Sequence, residues 1–396
     1  MPDLLSILTS LAWPFAIATA WLIGEFGQRW TGLPRISFYG LVGFFLASSQ
    51  IGVLPVPGSG PVLVMADVAF GLILFELGYR INARWFLTNP WIGVAGLLEA
   101  GSTFIAVFLI AGLFGSGLIT SLMLAALAMA TSPATVVRVV NEQRSSGQVT
   151  ERVMHLSALN CVLSVFAFNA IVGFWIFRTS EDIGDATLNS LVALCLSALT
   201  GAVFGVIVPA LLRALGSVTQ DATVAFALAV ILLVSITYTF KLSPVVATLA
   251  FGLMARHRRV AFSQAQRNFG ALGELLTVLL FVFAASTLDW RRVLDSASLA
   301  IVLVAARLFT KTASVTALSH LSGVSWRKGA LTGLALAPVS VFAILLLEHA
   351  RHAGIEVIEP LRALAALTML LEVFGPIILQ RALIWARESP AEPHGA

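Results

Sequence analysis

Leu124-Ala125-Ala126-Leu127-Ala128-Met129-Ala130-Thr131-Ser132-Pro133-Ala134-Thr135 and Leu331-Thr332-Gly333-Leu334-Ala335-Leu336-Ala337-Pro338-Val339-Ser340-Val341 are the two stretches whose reading decides the fold. Each is a membrane-length apolar helix interrupted near its middle by a proline beside Ser or Thr. Proline has no backbone N–H and frees a carbonyl one turn back, so polar backbone is laid open inside hydrocarbon. Such a break is tolerated only where it is buried in protein or lines a watery cavity. A matched pair of interrupted helices in two halves of a chain marks the binding site of a secondary transporter.

Outward from these stretches, the composition agrees. Hydrophobic residues make up 58% of the 396 residues and charged residues 11%, which excludes an ordinary soluble domain. Thirteen apolar segments of roughly spanning length are read at 4–24, 37–54, 62–79, 90–114, 118–142, 153–178, 189–215, 220–240, 243–256, 268–288, 293–322, 326–348 and 361–385. The ninth is short. With the N-terminus outside, 16 of the 24 basic residues fall in cytoplasmic segments and 6 in outer loops, so the positive-inside rule favours N-out, C-in and an odd number of spans. The remaining two, Arg307 and Lys311, lie inside a segment.

The net charge of +4 is mostly this loop bias, and nucleic acid is not needed as a partner. Cys161 and Cys195 both fall within spans, so no disulfide framework is expected. No phosphate-binding loop, metal-spaced His/Cys cluster or nucleophile elbow is found. The expectation is therefore a protein that is not an enzyme, with no cofactor and no resident metal. The first segment has no basic leader region and reads as a retained helix.

Pro133 and Pro338 are 205 positions apart, Asp67 and Glu274 207, Glu99 and Arg307 208, and Cys161 and Glu372 211. These offsets relate segments 1–6 to segments 8–13, with segment 7 as connector, and a shift of seven spans inverts the repeat. The expected organisation is one transmembrane domain over 1–388 and a disordered tail at 389–396.

Four passages carry a resemblance to a known family. They are Ala130-Thr131-Ser132-Pro133-Ala134 with Val136-Val137-Arg138-Val139-Val140, Ala158-Leu159-Asn160-Cys161, Arg307-Leu308-Phe309-Thr310-Lys311 running on to Leu321-Ser322-Gly323, and Leu336-Ala337-Pro338-Val339-Ser340-Val341-Phe342-Ala343. Leu371-Glu372-Val373-Phe374-Gly375-Pro376 matches a recurrent closing motif. Together they resemble the monovalent cation:proton antiporter superfamily (sodium/hydrogen exchanger-like), in particular the branch related to bacterial potassium-efflux antiporters. The resemblance implies an all-α polytopic membrane protein of about 13 transmembrane helices with an inverted repeat and two crossed broken helices, the sodium/proton antiporter-like fold. It further implies an elevator-type antiport of Na⁺ or K⁺ against H⁺, a homodimer, and a multi-pass location in a bacterial-type inner (plasma) membrane. In one place the chain departs from the pattern. The aspartate expected after Asn160 is Cys161, and a thiol is a poor ligand for hard alkali cations, which prefer oxygen.

The candidate ion-binding residues are Thr131, Ser132, Asn160, Cys161, Ser164, Arg307, Lys311, Glu99 and Ser340, around the broken-helix prolines Pro133 and Pro338. Ser157, Asn160, Cys161 and Ser164 share one helical face, which reads as a small-residue packing seam or as a cavity wall. Thr131 and Ser132 suit ion coordination, or re-satisfy carbonyls that Pro133 frees. Arg307 and Lys311 are charges at membrane depth and are functional suspects by default, Lys311 as partner of an acid or of the broken-helix termini. Glu99, mid-span between Leu98 and Ala100, is the candidate substitute acid. Glu76, Asp67, Glu274 and Glu372 are ambiguous, and His155 sits at an interface. Two other functions compete: a transporter-derived protein without antiport (a gated leak, a sensor or a subunit), and a sodium-coupled organic-anion carrier.

Overall fold

The computed structural model describes residues 4–55, 60–176, 183–214, 222–257, 263–289, 291, 296–339, 343–346 and 359–389. Every regular element among them is helical: α1 (Leu4–Thr31), α2 (Arg35–Leu46), α3 (Gly60–Arg80), α4 (Ala83–Thr88), α5 (Pro90–Leu113), α6 (Leu118–Ala128), α7 (Pro133–Glu142) and α8 (Gln148–Ile171, extended by a π turn to Ile176). The second half continues with α9 (Ile183–Ala214), α10 (Ala222–Thr239), α11 (Pro244–His257), α12 (Ser263–Ser286), α13 (Ala297–Ala317), α14 (Trp326–Ala335) and α15 (Glu359–Trp385). Residues 343–346 are helical as well.

Each expected segment meets a helix, and two of them meet a helix that stops at its break. Segment 118–142 is α6, four residues of non-helical chain, then α7. Segment 326–348 is α14, which ends at Ala335 two residues before Ala337-Pro338. Among the described residues, eight stretches are long and apolar enough to cross a membrane by length and composition, counting 118–142 as one; α2 and the end of α12 are shorter apolar helices. The chain is thus an integral multi-pass membrane protein. Large apolar residues are exposed on its surface, among them Leu97, Ile105 and Leu109 on α5 and Leu199 and Ile207 on α9.

Local rules explain the starts. Proline stands at the first position of α5 and α7, where no N–H partner is missed, and Ser132 and Ser325 cap α7 and α14 through their side chains. Several ends depart from the sequence reading. The second helix stops at Leu46 rather than 54: Ala47 leaves helical geometry at ψ 156°, and the chain turns on through Gly52 at φ +81°, a conformation glycine adopts without strain. The segment expected at 293–322 contains the helix Ala297–Ala317, which ends before 322, while 293–295 lie outside the described residues. The one expected from 153 begins at Gln148, and α4 was not anticipated. Ser389, the first residue of the expected tail, hydrogen-bonds Ser145 at 2.9 Å; 390–396 lie outside the described residues.

Packing divides the helices into two neighbouring groups. In one, α11 lies against α3 and α9, and α12 against α2 and α3. Gly78 and Gly252 let α3 and α11 touch backbone to backbone: a Cβ on Gly252 would sit 2.1 Å from Phe75 O, and one on Gly78 2.2 Å from Leu249 O. Phe75, Phe226 and Phe251 fill the space beside them, with ring centroids 4.6–5.8 Å apart. In the other group α13 packs on α5 and α14, and α6 on α5, α8 and α15. The groups meet where α15 lies on α2 and α3 lies on α7 and α8.

Candidate functional site: the meeting of two broken helices

The two breaks touch. Ser132 N donates to Pro338 O at 3.1 Å and Thr131 Oγ1 to Leu336 O at 3.3 Å. Every residue from Leu124 to Leu127 and from Ala130 to Pro133 is buried, as required of irregular backbone in a membrane protein.

The freed carbonyls of the first break find side-chain donors in sequence order. Ser164 Oγ takes Ala126 O at 2.7 Å, Arg307 Nε takes Ala128 O at 2.8 Å, and Lys311 Nζ takes Met129 O at 3.1 Å. Arg307 then reaches Ala130 O at 2.8 Å, and the Cys161 thiol donates to Thr131 O at 3.3 Å. From the same guanidinium, bonds run across to Ala337 O and, at 3.3 Å, to Pro338 O of the second break. The planar fork of arginine suits this task, since its donors point in several fixed directions at once. Arg307 is fully buried and all of these hydrogen-bond partners are carbonyls. It joins the two breaks and has no atom with which to hold a cation.

Lys311 lies one turn further along α13. Its ammonium donates to Glu99 Oε1 in an ion pair, to Met129 O and to Thr131 Oγ1 at 3.2 Å, which uses all three of its donors on oxygen. Glu99 and Lys311 are both 0% exposed, so the pair stands in low dielectric, where neither charge is sustained without the other. Asn160 Nδ2 donates to Glu99 Oε2 at 2.7 Å and to Thr131 Oγ1 at 3.2 Å, while its Oδ1 is buried with no partner among the described residues. Three kinds of hard oxygen thus converge on one spot: carboxylate, hydroxyl and carbonyl. A lysine ammonium, itself a monovalent cation, occupies it.

The structure therefore brings together Thr131, Asn160, Cys161, Glu99, Arg307 and Lys311 at the prolines Pro133 and Pro338. Ser132 turns its hydroxyl into α7 instead, where it caps Thr135 N, and Ser164 sits one turn below the break. Ser340 lies outside the described residues. Ser157 bonds its own helix at Met154 O. Among the ambiguous acids, Glu76 joins Arg80, Arg138 and Asn141 in a cluster that ties α3 to α7, Glu274 pairs with Arg35, and Asp67 is buried in α3. His155 packs at a tilt against Trp85, ring centroids 4.6 Å apart, and accepts from Asn82 N beside a 490 Å³ pocket that is also lined by Arg80 and Arg256. Sequence reasoning missed the bridging by Arg307, although its four-residue spacing from Lys311 already put both cations on one face. It also missed Glu388, whose carboxylate accepts from Val149 N and Thr150 N at 2.9 and 2.8 Å and caps α8.

The family described as "Sodium/hydrogen exchanger, transmembrane" matches residues 15–385. No curated protein matches the sequence. Among solved structures, the chain is similar to the sodium proton antiporter MjNhaP1 from Methanocaldococcus jannaschii at pH 8, with a TM-score of 0.72 and 14% identity over 96% of this chain and 97% of that one. An electron-microscopy structure of the same antiporter gives a TM-score of 0.70 and 15% identity over 98% and 97%. At such identities the likeness concerns the fold, and the fold is that of the sodium/proton antiporters.

Proposed function

We propose, from the premise that this chain belongs to the sodium/hydrogen exchanger family of transporters, that it exchanges Na⁺ or K⁺ for H⁺ at the meeting of its two broken helices. The observation that carries the reading is the Lys311 ammonium seated among oxygens of Glu99, Met129 and Thr131. An alkali cation has the same charge and the same taste for oxygen. On this reading the cation takes the ammonium's place against Glu99, with the unpartnered Asn160 Oδ1 completing its shell. Lys311, displaced from its counter-ion in a buried site, gives up its proton, and the proton leaves as the cation enters. The site's net charge is unchanged, so one H⁺ moves per cation. Alternating access by an elevator movement of the crossing group would then deliver each ion to the other side.

The same reading takes thirteen crossings, N-out and C-in, in a bacterial-type plasma membrane, and a homodimer. The basic-residue bias supports the orientation. The inverted repeat over 1–388 is supported by the closeness of positions about that far apart: Thr103 Oγ1 lies 3.1 Å from Thr310 Oγ1, 207 positions on, and the two breaks themselves touch.

The test is purified protein in liposomes with an internal pH dye, challenged in turn with Na⁺, K⁺ and Li⁺. Cation-dependent proton flux is expected, and Glu99→Gln, which keeps the shape but cannot hold a cation by charge, should abolish it. Flux in Glu99→Gln equal to the parent's would remove the pair from the ion path. A parent that exchanges none of the three would favour a second reading, which the completely neutralised crossing also supports: a transporter-derived protein that no longer antiports.

A further inference from the structure

Glu372 lies in α15 where the crossing group packs on α2, and it shares a lining with Ala285 and Leu288 at the end of α12. It is 6% exposed, and its Oε1 is buried with no hydrogen-bond partner among the described residues. The wall around it is apolar: Leu41, Phe44, Ala285, Leu288 and Met369 enclose, with Glu372, a void of about 10 Å³, close to the least that admits one water molecule. On α2 the glycine at position 40 makes the room, since a Cβ there would stand 3.2 Å from Glu372 Cγ and 3.4 Å from its carboxyl carbon. Even a methyl group there would press on the Glu372 side chain, so the glycine leaves the carboxyl group its room.

Counter-charges are missing from this lining. The elements packed on α15 carry Arg35 and Tyr39 (α2), Arg138 and Glu142 (α7), Arg307 and Lys311 (α13) and Arg327 and Lys328 (α14), while α6 carries no titratable group. On α12, Glu274 is the acid and it faces Arg35. None of these lines the void. Arg307 and Lys311 are committed to the crossing. An ionised carboxylate walled in by hydrocarbon, without a donor or a cation, costs far more than the neutral acid.

We propose that Glu372 is a second proton-binding site of this protein, separate from the crossing and carried as the neutral acid while the α15–α2–α12 seam is closed. It gives up its proton only when that seam admits water. Occupancy by H⁺ then reports, and biases, the relative position of the two helix groups. The proposal goes beyond the ion pair at the crossing and does not need that pair to exchange ions.

The experiment treats the full chain in lipid vesicles with dicyclohexylcarbodiimide, a hydrophobic reagent that reaches acids inside membranes. The carboxylic O–H adds across one C=N bond of the reagent to give an O-acylisourea. Migration of the acyl group to nitrogen then leaves an N-acylurea heavier by one reagent molecule. Peptide mass spectrometry should place this adduct on Glu372 at neutral pH, with the yield falling as the medium is made alkaline, and Glu372→Gln should lose it. Infrared spectra provide a second readout that needs no reagent access: the protonated-carboxyl C=O band should be weaker in Glu372→Gln than in the parent. An adduct whose yield ignores pH overturns the proposal, and so does silence at Glu372 in both measurements. Neither readout requires transport, so failure here and failure of antiport are told apart.

Discussion

At Cys161 the thiol donates a hydrogen bond to Thr131 O, a carbonyl that the break at Pro133 sets free. An ionised aspartate at this position accepts hydrogen bonds only, and would set its oxygens against the same carbonyl. A cation between the two oxygens would convert that repulsion into coordination. Cys161→Asp should therefore melt below the parent in a buffer of bulky organic cations and regain stability when Na⁺ or K⁺ is added, followed by thermal unfolding in detergent. Cys161→Ser keeps a donor and should lie within about 1 kcal/mol of the parent. The sequence made the departure at position 161 plain, because thiols and alkali ions match poorly. What it could not reveal was the thiol's partner, which lies thirty residues back across a break. Arg307 teaches the same lesson more strongly. Read alone, a charge at membrane depth suggests an ion site, yet this one holds four carbonyls of two distant segments. Arg307→Met should strand them at about 1–3 kcal/mol each and leave little folded protein, whereas Lys311→Ala, which strands chiefly Glu99, should cost about 3–5 kcal/mol. Chemical or thermal unfolding of the two variants side by side checks the order.

Helices were legible where periodic apolar length alone defines them, and illegible where a distant residue sets the boundary. The core of α8 was read correctly, but its first turn depends on Glu388, 238 positions downstream, whose carboxylate holds the amides of Val149 and Thr150. No local signal near 148 announces that cap. Glu388→Ala should leave those amides bare and cost about 0.5–2 kcal/mol, visible as faster hydrogen exchange confined to the first turn of α8. Glycine at a helix crossing was equally silent in the sequence, since Gly78 and Gly252 look like ordinary small residues until α3 and α11 are laid together. A side chain at Gly252 would drive into Phe75 O, so Gly252→Leu should separate the two helices and abolish folding into a monodisperse detergent-solubilised protein, as size-exclusion chromatography would report.

For the whole molecule, the most informative regularity was an offset. Offsets of 205 to 211 positions relate residues of the two halves in the sequence, and Thr103 and Thr310, 207 apart, lie 3.1 Å from one another where α5 packs on α13. Two helix groups were implied by the family resemblance, but which helices pack on which was not legible, because nothing in a run of apolar residues says which neighbour it will choose. The bridge made by Arg307 bears on how those groups can move. Tension applied to either broken helix passes through one guanidinium into the other, so neither half can slip along its neighbour without tearing several buried hydrogen bonds together. The crossing is in effect a welded joint, and any stroke this protein makes has its bearing surface at the seam outside it. Spin labels at Leu118 and Trp326, on the two broken helices, should keep one separation under every ionic condition. Labels at Leu118 and at Trp30, whose helix α1 packs on α2 and α12 across the seam, are the pair whose distance would change.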